Sequence, residues 1–205
     1  MLVVSSALWD ANKKSHAFSR DYNEEWVEKL YNGFARNLSV PFRFRLFVDR
    51  LRTFSAPIEQ ERLTHKPITY GSFIEPFKMN EPMILVGLDT VIVRNIDHMA
   101  EYCLCPGNKV ALPIDPNHTD RVCNGVALIP PGHRGIYEAW KGENDMEFLR
   151  RRSGIAHIDT LFPGEVVSYK KHYMKEGLQK ARIVYFHGKP KMNMIHDKEI
   201  LEHWR

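Results

Sequence analysis

Four polar residues stand where apolar runs stop. Asp49 closes "LFV", Asp89 closes "MILVGL", Asn124 precedes "GVALI" and His187 follows "RIVYF". In an open, mostly parallel α/β sheet, ligands gather where strands end, so these four are the candidates for chemistry. Asp89 and His187 offer a carboxylate and an imidazole, hard and borderline ligands that suit Mg²⁺ or Mn²⁺ shared with a diphosphate. Asp49 can hydrogen-bond a ribose or a base edge. Lys189 and Lys191, in a loop kept from helix by Pro190, can neutralise phosphate charge. At the first apolar run, "LVVSSAL", small residues that include Ser5 and Ala7 leave room for a ligand.

Each candidate also has a plain structural reading. An Asp between two apolar runs can be a turn or a cap, and a His at a strand end can be a satisfied hydrogen-bonding group. Lys189 and Lys191 can be solvated loop lysines, Asp49 a loop opener, and Asn124-Gly125 a turn. Cys103, Cys105 and Cys123, with His98 or His118, could form a structural zinc site, but Cys-x-Cys lacks the usual Cys-x-x-Cys reach, which favours buried thiols. His157-x-Asp159 is a lone pair of metal-ligand types. Arg150 to Arg152 read as a solvated helix end suited to the C-terminal dipole, or as a face for an acidic partner or nucleic acid.

The elements that must position these residues follow from periodicity. "LVVSSAL" reads as a buried strand. Tyr22, Trp26, Leu30, Phe34 and Leu38 repeat every four residues, with Asp21 and Glu24 as a capping box, which predicts a helix stopped by Pro41. "FRFRLFVD" follows as a strand, and strand, helix, strand in this order predicts a β-α-β unit and a parallel sheet. Residues 50–80, broken by Pro57, Pro67 and Pro76, read mostly as loop with one short element. "MILV", "VIV", "KVALPI", "NGVALIP" and "ARIVYFH" read as further strands, and "GIYEAWKGENDMEFLRR" as one or two short helices.

With 205 residues and 43% apolar content the chain can bury one sizeable core, and a single α/β domain is expected. The charges, net +4, are dispersed, which argues against a nucleic-acid coat. Three cysteines, an odd number, suggest reduced thiols in a cytosol-like compartment. No run of about 18 apolar residues and no basic leader is present, so a soluble, cytoplasmic protein without a membrane span is expected.

Several of these stretches together resemble a known family. "VGLDTVIVRNIDHM" resembles the metal-binding strand of the retaining GT-A glycosyltransferases of glycosyltransferase family 8 and their small bacterial and viral relatives, in which an Asp-x-Asp precedes a β-branched run. "ARIVYFHGKPK" is similar to the C-terminal motif of that group, where a His joins the metal and a Lys touches the donor phosphate. "VCNGVALI" and "LFPGEVVSYK" fit the intervening segments in the same order. The resemblance covers the chain from its first strand to His187.

It implies a single GT-A-like domain over 1–205, with a mixed, mostly parallel sheet flanked by helices. A nucleotide-binding half would span about 1–100 and an acceptor half about 101–195. It further implies transfer of a sugar from a nucleotide-diphosphate donor, UDP-sugar first, to a hydroxyl of a glycan, lipid or protein. Asp89 and His187 would hold Mn²⁺ or Mg²⁺, and Lys191, with Lys189, would meet the diphosphate. Asp49, Ser5 and Ala7 would lie along the nucleotide, and Asn124 on the acceptor side. No protein nucleophile is implied. Gly87 stands where the first Asp of the motif is expected, the C-terminal motif is compressed, and "MN" replaces an aromatic after it. A cation on Asp89, His187 and two diphosphate oxygens would still have four ligands, with water able to complete an octahedron. Alternatively, Gly87 marks a nucleotide-sugar or phosphate binder that has lost transfer.

Overall fold

The computed structural model describes residues 1–205, leaving aside Ala17 and Phe18. Its strands are β1 (Leu2–Leu8), β2 (Phe42–Val48), β3 (Ile58–Arg62), β4 (Met83–Val86), β5 (Thr90–Ile92), β6 (Ala111–Leu112), β7 (Ile114–Asp115), β8 (His118–Val122), β9 (Val126–Ile129), β10 (Ala156–His157), β11 (Val166–Ser168) and β12 (Ile183–Tyr185). The central sheet runs β10-β6-β9-β4-β1-β2-β3. Only β9 runs against its neighbours β4 and β6; the other adjacent pairs are parallel. The chain is thus the expected mixed α/β fold with a mostly parallel sheet flanked by helices.

The β-α-β unit forms as its periodicity predicts: β1 and β2 pair in parallel, and the Glu24–Asn37 helix between them buries Trp26, Val27, Leu30 and Phe34. Its cap differs from expectation. Asn23, not Asp21, accepts from the Trp26 backbone N–H, because a helix beginning at Glu24 leaves its first donors within reach of position 23. Tyr22 therefore lies before the helix rather than on its apolar face. Residues 50–80 are also more ordered than their prolines suggest. They hold β3 and a 3₁₀ segment, Tyr70–Met79, whose start is capped reciprocally by Thr69 and Ser72. A 3₁₀ segment has no apolar period of 3.6, which is why the pattern hid it.

Side chains alternate along the sheet, so β1 feeds two cores. Leu2, Val4 and Leu8 pack with the Glu24–Asn37 and Asp97–Leu104 helices. Val3 and Ala7 pack on the other face with Phe73, Ile74 and Phe77 of the 3₁₀ segment and with Trp140, Phe148 and Leu149. "GIYEAWKGENDMEFLRR" resolves into two short helices, Gly135–Ala139 and Asp145–Arg150.

"MILV" and "VIV" turn out to belong to different sheets. β4 is central, whereas β5 joins a three-stranded sheet ordered β11-β12-β5. Gly87, Leu88 and Asp89 are the step between them. No helix among the described residues is long and apolar enough to cross a membrane.

Candidate active site

A cavity of about 340 Å³ opens at the C-terminal ends of β1 and β4. It draws on Ala7, Leu8 and Trp9 at the end of β1, Gly87 to Asp89 after β4, Cys123 to Gly125 before β9, Asn144 to Met146, and Tyr185 to Gly188 with Lys191 at and beyond the end of β12. This is the place where an open parallel sheet presents ligands. Because β9 is antiparallel, its N-terminal end, with Asn124, meets the C-terminal ends of its neighbours there.

The register of the small sheet explains why residues so far apart in sequence converge. β12 and β5 are antiparallel with Tyr185 opposite Thr90, and the Phe186 N–H donates to the Asp89 carbonyl at 2.9 Å. Asp89 and His187 are thereby delivered to one cavity wall. The chain then returns through Gly188, whose φ of +62° suits glycine and whose face is approached by the Lys170 ammonium. Lys191 follows, its side chain only 2% exposed.

The ammonium of Lys191 ion-pairs with Asp89 Oδ2 and donates to the Phe186 carbonyl at 3.0 Å. Asp89 Oδ2 also accepts from the Tyr22 hydroxyl at 3.0 Å. Burial, then the charge of Asp89 and the hydrogen bond to it, raise the Tyr22 phenol far above its ordinary range, so it stays a donor. His187 lies across from Ser168, with Nδ1 3.0 Å from Ser168 Oγ, and its Nε2 is buried with no hydrogen-bond partner. Burial, and next the charge of Lys170, lower its pKa, so it is a neutral imidazole at neutral pH.

On the facing side Asn124 Nδ2 donates to Asp145 Oδ2 at 3.0 Å, and Asn124 Oδ1 is buried without a partner. Desolvation raises the Asp145 carboxyl above the usual range, against the pull of that hydrogen bond.

Asp89, His187, Lys191, Asn124 and Ala7 thus share the cavity. Three other candidates lie outside its lining. Ser5 is buried and donates to the Arg45 carbonyl. Lys189 is exposed. Asp49 accepts from the Asp10 and Arg50 backbone N–H groups and from Arg52, which also bonds Asp10 and Glu24 and is 3% exposed. Tyr22, Asp145 and Tyr185 were not among the candidates. The spacing places Tyr22 on a helical stripe, and nothing in the spacing of the other two marks them.

The weaker patterns separate. Cys103 donates to the Met83 carbonyl in the core, Cys105 is exposed, and Cys123 reaches the cavity, where burial raises its thiol to about 11. His157 is exposed, and Asp159 accepts from the Ile114 N–H at 2.7 Å. Arg150 is not simply solvated: it binds Asp115 at 2.5 Å and the Val122 carbonyl.

A divalent ion has one point in its favour here, the unpartnered Nε2 of His187 beside Asp89. The donor set as it stands does not fit one. Gly87 offers no ligand, Asp89 is already neutralised by Lys191, and among the described residues no three His, Cys, Asp or Glu side chains are grouped to hold a metal.

No family model and no curated protein matches the sequence. Solved structures do match its fold. The glycosyltransferase GlyE of Streptococcus pneumoniae TIGR4 superposes with a TM-score of 0.65 at 13% identity, over 98% of this chain and 58% of that one. The galactosyltransferase LgtC, in complex with donor and acceptor sugar analogs, superposes with a TM-score of 0.55 at 9% identity, over 92% and 88%. An active-site mutant of LgtC gives 0.54 at 9%. The fold is GT-A-like. The chain spans 58% of the length of the GlyE structure, and at these identities the likeness is one of fold. The GT-A-like sheet carries a cavity at its strand ends, and Asp89, His187 and Lys191 all reach it.

Proposed function

We propose that this chain transfers a sugar from a nucleoside-diphosphate donor, a UDP-sugar first among them, to a hydroxyl acceptor. The observation that carries the reading is the convergence of Asp89, His187, Gly188 and Lys191 on a strand-end cavity in a fold shared with two glycosyltransferases. In the reaction the bond between the anomeric carbon and the diphosphate oxygen breaks, and one to the acceptor oxygen forms. The hydroxyl proton leaves to the diphosphate or to water. Charge gathers on the departing diphosphate, and a fixed ammonium there lowers the barrier. Lys191, held by Asp89 and the Phe186 carbonyl, is such a cation. The Nε2 of His187 can take a hydrogen bond or give one at the same wall. Asn124 and Asp145 face them and suit the hydroxyls of the transferred sugar or the acceptor.

Release of UDP from a panel of UDP-sugars, with and without sugar acceptors, tests the reading. Turnover that drops at least about 100-fold in Lys191→Met is expected. Gly87 favours a second reading, a binder without transfer, which predicts UDP binding with no release from any donor.

A further inference from the structure

We propose that the Lys191 ammonium, clasped by Asp89, is itself the cation against which a nucleoside diphosphate is bound, so that this site works without a divalent ion. The inference rests on the nucleotide-sugar reading above and concerns how that site handles charge.

Three independent features of the chain carry it. The first is the pair itself. Lys191 is buried to 2% exposure, and its ammonium is aimed at Asp89 Oδ2 and the Phe186 carbonyl rather than at solvent. A lysine stem loses rotamer freedom when buried, so an ammonium placed this way is preorganised at the cavity wall. The second is the charge balance. One carboxylate and one ammonium sum to zero at this wall, whereas a divalent ion on the same carboxylate would have to sit against the ammonium or expel it. Lys170 and Lys171 add positive charge near His187, and the opposing Asp115 carboxylate is itself paired with Arg150, so the balance suits an incoming anion and repels a second cation. The third is Gly87. A Cβ built there would lie 2.6 Å from Asp89 Oδ1, so any side chain at 87 would force that carboxyl, which holds Lys191 through Oδ2, to turn. Hydrogen at 87 therefore lets Asp89 keep the rotamer that clasps Lys191, and supplies no second acid beside it.

Titration calorimetry with UDP on the intact chain, in EDTA and separately in Mn²⁺, tests the idea, with manganese binding followed by electron paramagnetic resonance. UDP affinity is expected to agree within about threefold between the two buffers, with no stoichiometric manganese bound. Lys191→Met is expected to weaken UDP by about 10- to 100-fold in both buffers, and Lys191→Arg to weaken it less. The double variant Gly87→Asp with Lys191→Met is expected to bind one manganese ion and to recover UDP affinity only in its presence.

Wild-type UDP binding that falls tenfold or more in EDTA and returns with Mn²⁺ would overturn the inference while leaving the nucleotide-sugar reading intact. Unchanged UDP affinity in a folded Lys191→Met variant would overturn it too. Absence of UDP binding in either buffer overturns both readings. If Lys191→Met does not fold, the wild-type comparison decides alone.

Discussion

Asn124 Nδ2 donates to Asp145 Oδ2 at 3.0 Å, joining the start of β9 to the first turn of the Asp145–Arg150 helix across the cavity. The sign of its pH dependence follows from burial. Asp145 has a folded-state pKa above its unfolded value, so the folded protein holds this proton more tightly. Its ionisation costs stability as pH rises out of the ordinary aspartate range, and acidification back through that window relieves the cost. Asp145→Asn is therefore expected to raise Tm at neutral pH and to leave it unchanged below the ordinary aspartate pKa. Thermal melts across that range check this; a lower Tm at neutral pH would count against it.

Arg52 gives the opposite slope. It holds Asp10, Glu24 and Asp49 together near the ends of β1 and β2, and the hydrogen bond of Arg50, followed by its own, lowers the Asp10 carboxyl to about 2. A depressed pKa contributes stability above the unfolded value near 3.8, and that contribution is lost as pH falls from there towards about 2. Arg52→Ala removes the shared partner of three carboxylates, two of them well exposed, and is expected to cost about 1–2 kcal/mol at neutral pH. Its loss on acidification should be shallower than that of the wild type, as urea midpoints at several pH values would reveal.

Tyr22→Phe removes a single charge-assisted hydrogen bond to Asp89. A loss of about 1.5–3 kcal/mol is expected, since the carboxylate keeps Lys191 but loses its second donor. The same change should weaken UDP, because Asp89 and with it Lys191 become less firmly placed. Denaturant unfolding beside UDP calorimetry separates the two effects.

Gly71 tests the other wall. A Cβ there would come within 2.1 Å of the Glu143 carbonyl oxygen, a backbone atom that cannot swing aside. Gly71→Ala is expected to cost about 3 kcal/mol by overpacking and to displace the loop that leads into Asn144 and Asp145. Glu143 also receives the Trp140 indole N–H on its carbonyl, so Trp140 fluorescence should report the shift alongside the lowered unfolding midpoint.

Much of the frame was legible in the sequence because it obeys simple periods. The four-residue spacing from Trp26 to Phe34 gave the helix, and the apolar runs of β1, β2, β4 and β12 gave buried strands whose ends carry polar residues. What stayed hidden depends on side chains meeting across the fold. Asp49 looked available until Arg52 placed its guanidinium on it. Tyr22 fitted an apolar stripe, yet its ring sits ahead of the helix and its hydroxyl turns to Asp89. Asp145 opens a helix of only six residues, too short for its pattern to show which way its carboxyl points. Lys191 was legible as a phosphate contact. Its capture by Asp89 was not, because that requires the Tyr185–Thr90 register, which no local period encodes.

The step from β4 to β5 places the cavity on a seam. One wall hangs from the seven-stranded sheet, and the other, with His187, from the three-stranded one. Each wall has its own backbone ladder, so substitutions that reshape one need not strain the other. The wall with the Lys191–Asp89 clasp and the wall with Asn124 and Asp145 are therefore free to diverge separately.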